Sequence, residues 1–513
     1  MAHRSTVGNK TRMKAMGLDK GIDGDAGGSG DSSDGDGEKI RGNGFDDLDD
    51  LMASEYSEWK RPWWVSEVDK PTLEIDWQAT ERFDQTKIQQ VSWRKYIGDA
   101  KADELTKRRD EKAHQWMTEG RDGYTIRDRA LDIASRNAGT SGVSFTGSWS
   151  NNGADHADAD EETHFTREGA GPPSGIGSKV MTPEEMGVPR WEGSAAENSR
   201  MIRSALRHFG ADQVGYVELK PDTTEKLIYE FDAMDGKKIE FENVDKAYET
   251  DKKRVIPAKA RRAIVFTVKM SEELIKRKTE AGMPTALSSA ATGIAYGQAR
   301  NIIDRVQNFL HVLGYQGLMG SWYNGLGIAP AFAVMAGLGE LGRINRMISP
   351  EYGPLNRVFK ILTDLPLEPT KPIDAGIMNF CRTCKVCANE YPSNCLSKET
   401  DPYWEPAGPW NNPGHKTWYE DSPSCRTWWA VSTAGCSTCF AVCAFSKKNE
   451  SIVHDLVKIA IAKNKIMPDQ VNAFFTKMDG VFGYQDQKNI EDWWDMEMPP
   501  RGANNAKRHL LDK

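Results

Sequence analysis

Cys381-Arg-Thr-Cys384-Lys-Val-Cys387-Ala-Asn-Glu-Tyr391-Pro392-Ser-Asn-Cys395 holds four of the eight cysteines of this 513-residue chain. The other four, Cys425, Cys436, Cys439 and Cys443, follow soon after, and no cysteine occurs elsewhere. Disulfides that staple a fold are spread along it. Thiols crowded into one window are soft ligands converging on metal. The Cys-x2-Cys-x2-Cys run is the ferredoxin-type signature of a [4Fe–4S] cluster. The second group, Cys425 with Cys436-x2-Cys439-x3-Cys443, predicts a second cluster, and hence a protein that moves single electrons. A four-cysteine zinc site is the competing reading, but triplets at ferredoxin spacing favour iron and sulfur.

The rest of the composition narrows the classes. A chain of this length can bury a large core and hold several domains. Its net charge of −8 lacks the basic balance of a nucleic-acid binder. Sixteen tryptophans are enough to line a pocket for a flat apolar ligand as well as to fill a core. No stretch reaches the roughly 18–20 apolar residues that span a bilayer. The nearest, Gly325 to Gly339, reads as a buried strand-turn segment.

Five segments follow from the pattern along the chain. Residues 1–50 are Gly-, Asp- and Ser-rich and have too little to bury, so they read as disordered. Their alternating Asp residues lack the closing Glu of a calcium loop. Residues 51–184 form an N-terminal region with a loop-rich stretch at 139–178. Residues 185–375 mix helices and strands in an α+β core. Met201, Ile202, Ala205, Leu206 and Phe209 recur at helical spacing before Gly210, and 285–313 reads as a long helix ending at Gly314. Residues 214–219, 262–268 and 358–364 read as strands. The cysteine module occupies 376–450, and a helical tail at 451–513 closes the chain.

Two further motifs need weighing. Gly337-Leu-Gly339-Glu-Leu-Gly342 fits G-x-G-x-x-G, but Pro350 and Pro354 interrupt the helix that dinucleotide binding needs after it. A tight glycine turn that lets backbone approach a large ligand is the better expectation. The nine histidines show no zinc spacing, and the D-x-H-x-x-G by which some cobalamin proteins give a histidine to cobalt is missing.

Taken together, several stretches resemble the corrinoid-dependent reductive dehalogenases of organohalide-respiring bacteria, of the chloroethene type. They are Pro189-Arg-Trp-Glu-Gly193 with the helix ending HFGA, Ile294-Ala-Tyr296, FLHVLGY from Phe309, and AGLGELGR at 336–343. TDLPLEPTKPIDAG at 363–376, the cysteine module, and Phe474-Phe with Phe482-Gly-Tyr484 and Trp493-Trp494 complete the series. The resemblance implies a nitroreductase-like cobalamin-binding core joined to a ferredoxin-like module with two [4Fe–4S] clusters. It implies base-off cobalamin and the reaction R–X plus two electrons and a proton giving R–H and X⁻. It implies Tyr296 as proton donor, Arg357 as its basic partner and Asn324 as a hydrogen-bonding neighbour, with Lys360 as the alternative base. A phenol is a weak acid at neutral pH, and a neighbouring guanidinium makes its proton easier to give up. The partners implied are an organohalide, an electron-donor chain and a small membrane anchor protein, at the outer face of the cytoplasmic membrane.

The chain departs from the family in two places. The fourth position of the first cysteine run is Tyr391, not cysteine. In two-cluster ferredoxins that cysteine serves the other cluster. One cluster then takes Cys381, Cys384, Cys387 and Cys443. The other keeps Cys425, Cys436 and Cys439 and is [3Fe–4S], or completes itself with Cys395. The N-terminal NKTRMKAMGLDK also lacks the twin arginines and apolar run of the family's export signal. Two rivals stand beside this reading: an epoxyqueuosine-reductase-like corrinoid enzyme, and a ferredoxin-type electron-transfer protein without catalysis. The first wants a basic face for RNA and an acidic active-site residue; the second leaves the residues upstream of the cysteines unexplained.

Overall fold

The computed structural model describes residues 61–129, 182–185, 189–279, 283–320, 325–446, 452–463, 468–481 and 489–496. The expectations for residues 1–50, for 139–178, for Asn324 and for Phe482 and Tyr484 lie outside the described residues. The chain divides into two compact units, Met1–Lys60 and Arg61–Lys513, and all the described residues belong to the second.

A mixed α+β architecture surrounds a four-stranded sheet. Its strands are β1 (Gln213–Glu218), β2 (Arg262–Lys269), β3 (Gly317–Leu318) and β4 (Asn356–Thr363), in the spatial order β1-β2-β4-β3. All three pairings are antiparallel. The pairing of β2 with β4 runs from Arg262 opposite Thr363 to Lys269 opposite Asn356. In β2 the run Ala263 to Val268 is buried without alternation. A strand buried on both faces must be covered on both, and it is. Helices α1 (Ala195–Phe209) and α2 (Ala286–Leu313) pack on one side, and a short helix, Ala329–Met335, packs on the other. Each fully buried Ile, Val or Phe of the sheet contributes about 1.5–3 kcal/mol of transfer free energy.

The helix ends follow their sequence signals. Gly210 and Gly314 cap α1 and α2 in the left-handed region, at φ 108° and 88°. Thr285 and Ser288 form a capping box at the start of α2. The Gly325–Gly339 segment corrects an expectation: its apolar run folds as the helix Ala329–Met335, not as a strand. Pro330 sits in the first turn, where a missing N–H costs nothing, and Ala331, Ala333 and Met335 are good helix formers. No helix among the described residues is long and apolar enough to cross a membrane.

After the glycine motif no dinucleotide-binding helix follows, as Pro350 and Pro354 predict. Glu340–Leu341 pairs antiparallel with Met347–Ile348, so a hairpin follows the glycines and not a helix. A Cβ on Gly337, which has φ 70°, would meet the Lys371 carbonyl, and one on Gly339 would meet Ile348 and Met347. The close approach is to the chain's own backbone.

The cysteine segment builds four short helices: α3 (Ile377–Cys384), α4 (Val386–Glu390), α5 (Ser422–Ser432) and α6 (Thr438–Ala441). Helix α5 packs against the N-terminal helices Gln89–Ile97 and Asp99–Thr118, with Trp93, Ala102 and Ala430 forming one buried cluster. The tail helices Ile452–Lys463 and Pro468–Val481 cover α3.

Candidate functional site

One face of α2 organises the site. Ser289, Thr292 and Tyr296 follow at spacings of three and four and therefore line one stripe of the helix. Ser289 Oγ accepts the Gly435 N–H at 3.2 Å, one residue before Cys436. Thr292 Oγ1 accepts Arg357 Nη2 at 3.1 Å. The Tyr296 ring meets Phe359 edge-on, with centroids 5.7 Å apart. Arg357 and Phe359 are two apart on β4 and share the face that looks at α2.

The Arg357 guanidinium lies between two rings. Its carbon is 5.5 Å from the Tyr296 centroid and 5.3 Å from that of Phe440. Phe440 directly follows Cys439, so Tyr296, Arg357 and the second cysteine group form one continuous contact. A guanidinium over an aromatic face is held by the ring quadrupole. Lys360, the alternative base, is on the wrong side. Three residues from Arg357 on a strand, it faces the Ala329–Met335 helix, with its ammonium 5.7 Å from the Phe332 centroid. Burial there lowers its pKa to about 7.

The cysteines gather in two places, all free of disulfides. Cys381, Cys384, Cys387 and Cys443 line one pocket together with Arg343, Ile348 and Phe380. Lys385, left-handed at φ 52°, breaks α3 from α4 and lets three cysteines of one short run face that pocket. Arg343, buried beneath, donates to the carbonyls of Cys381, Arg382, Ser397 and Glu399 at 2.6–3.2 Å. Its guanidinium also covers Trp418 at 4.5 Å. The Glu340 carboxylate accepts Ala375 N–H and Ile377 N–H at 2.8 and 2.9 Å, fixing the start of α3. Burial raises the pKa of that carboxyl, against the opposing pull of its hydrogen bonds from Thr72, Ile377 and Ala375.

The second group is built across more distant segments. Cys395, Cys425 and a Glu420 oxygen lie within 4.8 Å of one another. The Tyr391 hydroxyl is 3.2 Å from Cys425 Sγ and donates to Cys436 Sγ at 3.1 Å. Cys439 senses both Cys436 and Cys395. Glu420 is itself engaged by Arg346 at 2.8 Å. Lys278, buried, donates to the Thr438 carbonyl at 3.1 Å beside this group.

Left as thiols, these groups are poorly suited to ionise. Burial pushes Cys381 up to about 12 and raises Cys387 and Cys439 well above the usual thiol range, with neighbouring sulfurs adding to it. Cys425 is raised first by its hydrogen bond with Cys395, then by burial. Tyr391 is raised by burial, reinforced by Cys436 and Cys425. Bound cations reverse that balance, because a coordinating thiol is deprotonated outright. Two sets of clustered, buried or half-buried cysteines are therefore a donor set fit for iron–sulfur centres.

Residues 60–367 match the family described as "Reductive dehalogenase subunit". The chain belongs to the reductive dehalogenase family. Its members are oxidoreductases, and the chain is an enzyme of that class. A chloroethene reductive dehalogenase of Dehalococcoides mccartyi strain VS is 29% identical over 89% of this chain and 93% of its own length. A tetrachloroethene reductive dehalogenase of Sulfurospirillum multivorans is 32% identical over 60% of this chain and 61% of its own. Among solved structures, the catabolic reductive dehalogenase NpRdhA superposes with a TM-score of 0.57 at 19% identity, over 86% of this chain. This chain spans about half of that one, 52%, and the likeness is one of fold.

Sequence reasoning singled out Tyr296, Arg357 and the eight cysteines, and the structure sets Arg357 against the Tyr296 ring and gathers cysteines in two places. It missed Thr292, Phe440, Ser289 and the hydroxyl of Tyr391. Thr292 was legible in principle, one helical turn before Tyr296; the others become neighbours only in three dimensions.

Proposed function

We propose that this chain is a reductive dehalogenase that removes halide from a small organohalide, a chlorinated ethene or alkane. The overall balance is R–X plus two electrons and a proton giving R–H and X⁻. Family membership supports the reaction class, and relatives named for chloroethene and tetrachloroethene support the substrate class. The observation that carries the reading is Arg357 held between Tyr296 and Phe440, with Phe440 adjoining Cys439. This contact supports a reading in which Tyr296, Arg357 and the chain segment of the second cysteine group act together.

In this proposal cobalamin would be held in a nitroreductase-like core, where it would supply low-valent cobalt chemistry. Tyr296 gives the proton from its phenol oxygen. Arg357 favours the phenolate left behind, and its positive charge offsets that of the departing halide. Thr292 keeps the guanidinium from turning away. Asn324 adds a hydrogen bond to the same site. Cys381, Cys384, Cys387 and Cys443 hold one [4Fe–4S] cluster in a ferredoxin-like module. Cys425, Cys436, Cys439 and Cys395 hold the other, and the nearness of Cys395 to Cys425 supports four ligands over a [3Fe–4S] centre. An external electron-donor chain feeds these clusters. The proposal extends to the family's setting: a small membrane anchor partner at the outer face of the cytoplasmic membrane.

Tyr296→Phe tests the proton role. After anaerobic reconstitution with cobalamin, iron and sulfide, halide release driven by reduced methyl viologen should fall by about 10²-fold or more. Corrin absorbance of the purified variant should match the parent. Undiminished halide release would sink the assignment.

A further inference from the structure

Tyr391 stands where the ferredoxin run has its fourth cysteine, and its side chain has not left the metal site. It is 2% exposed, with its oxygen 3.2 Å from Cys425 Sγ and 3.1 Å from Cys436 Sγ. The backbone explains how a ligand is recovered nearby. Pro392 cannot continue α4, and Tyr391 leaves it in an extended conformation. The Asn394 N–H then donates to the Tyr391 carbonyl at 3.1 Å, and Asn394 itself is left-handed at φ 52°. This turn swings the next residue, Cys395, back beside Tyr391. The Asp421 N–H fixes the Cys395 carbonyl at 2.9 Å, just before the helix that carries Cys425. The thiol displaced by four positions thus arrives at the same centre.

We infer that Tyr391 tunes the second cluster and does not ligate it: its hydroxyl donates a hydrogen bond onto the sulfurs of Cys425 and Cys436 and raises the cluster's reduction potential. The inference rests on the reading that this group holds an iron–sulfur cluster. Thiolates bound to iron carry no proton, so the phenol is then the only hydrogen between the three atoms. Hydrogen bonds to cluster sulfurs are among the established determinants of potential. Their sign is fixed by electrostatics: a donor stabilises the more negative, reduced cluster. A backbone donor, Thr438 N–H, already reaches Cys436 Sγ at 3.5 Å, and the phenol adds a second from the opposite chain segment. Phenolate ligation is the less favourable alternative, because a hard oxygen suits such iron poorly where a soft thiolate is available.

Tyr391→Phe removes one oxygen and keeps the ring that fills the space. The full chain, reconstituted anaerobically, is titrated with reductant while EPR follows each cluster. The parent should hold about eight iron and eight sulfide, as two [4Fe–4S] clusters. The variant should keep both clusters, with one midpoint moved to lower potential and the other unchanged. Unmoved midpoints in a variant that retains both clusters would overturn the tuning role. A [3Fe–4S] signal appearing in Tyr391→Phe, with the first cluster intact, would overturn it in favour of ligation by oxygen. Cys395→Ser is the control for ligand loss and should produce that signal. A parent chain with only one cluster would defeat the underlying reading itself, and is distinguished by its iron content before any variant is made.

Discussion

Arg357 owes its position to the period of a strand and the pitch of a helix. Two-residue alternation puts it with Phe359 on the α2 side of β4, where Thr292 and Tyr296 rise one turn apart. The same alternation removes Lys360 from consideration, because an odd separation sends it through the sheet. A flat cation held between two rings by one hydroxyl is not replaceable by a point charge. Arg357→Lys should therefore lower kcat for halide release by about 10-fold or more, at a ring contact of this strength and a charge-assisted hydrogen bond. Iron content should stay at the parent level; a variant with full turnover would show that charge alone suffices. The residue types were visible in the sequence. Their pairing was visible only through resemblance, since β4 lies far from α2 along the chain.

At the scale of elements, the cysteine helices are too short to stand alone. They are held from outside by two groups from the glycine motif, Glu340 and Arg343. Arg343 alone satisfies four carbonyls around the first cysteine run. Removing it takes that donor from the carbonyls of Cys381, Arg382 and Ser397, while the Glu399 carbonyl keeps Trp418 Nε1 at 3.1 Å, a loss of about 1–3 kcal/mol. Arg343→Ala should lower the melting temperature and release iron from the first centre before the second, as read by iron analysis and EPR. Equal lability of both centres would show that the damage is global. The glycines were read as a turn for a ligand. In the fold they pack closely against Lys371, Met347 and Ile348, beside Glu340 and Arg343, which nothing in a G-x-G-x-x-G spacing discloses.

Across the whole unit, the N-terminal segment ties the sheet to the cysteine module. Ser66–Glu67 pairs with Ile373–Asp374 just before α3, Ile75 bridges to His415, and Trp93 Nε1 donates to Thr427 on the helix of Cys425. His415 gives this union a pH dependence. Burial lowers its pKa to about 4, while an unfolded histidine titrates near about 6.5. The unfolded chain takes up its proton first as pH falls, so stability is complete above about 6.5 and declines between about 6.5 and 4. The loss is at most about 3 kcal/mol. His415→Gln should flatten the fall in melting temperature between pH 7 and pH 4.5. An unchanged slope would assign the acid sensitivity to other groups.

The sequence by itself determined what is local. Thiol spacing marks a candidate metal ligand set, and helical and alternating periods with glycine caps locate α1, α2, β1, β2 and β4 to within a few residues. These are legible because their causes act over a few residues: ligand spacing, side-chain period and left-handed caps. The apolar Gly325–Gly339 run was misread because length and hydrophobicity do not separate a buried strand from a short buried helix. Only the tertiary structure decided which sulfurs meet, why Cys395 returns to Tyr391, and that Arg357 stands between Tyr296 and the second cysteine group. Those depend on contacts between segments far apart in the chain, set by how sheet, helices and cysteine loops pack, and no local pattern carries that information.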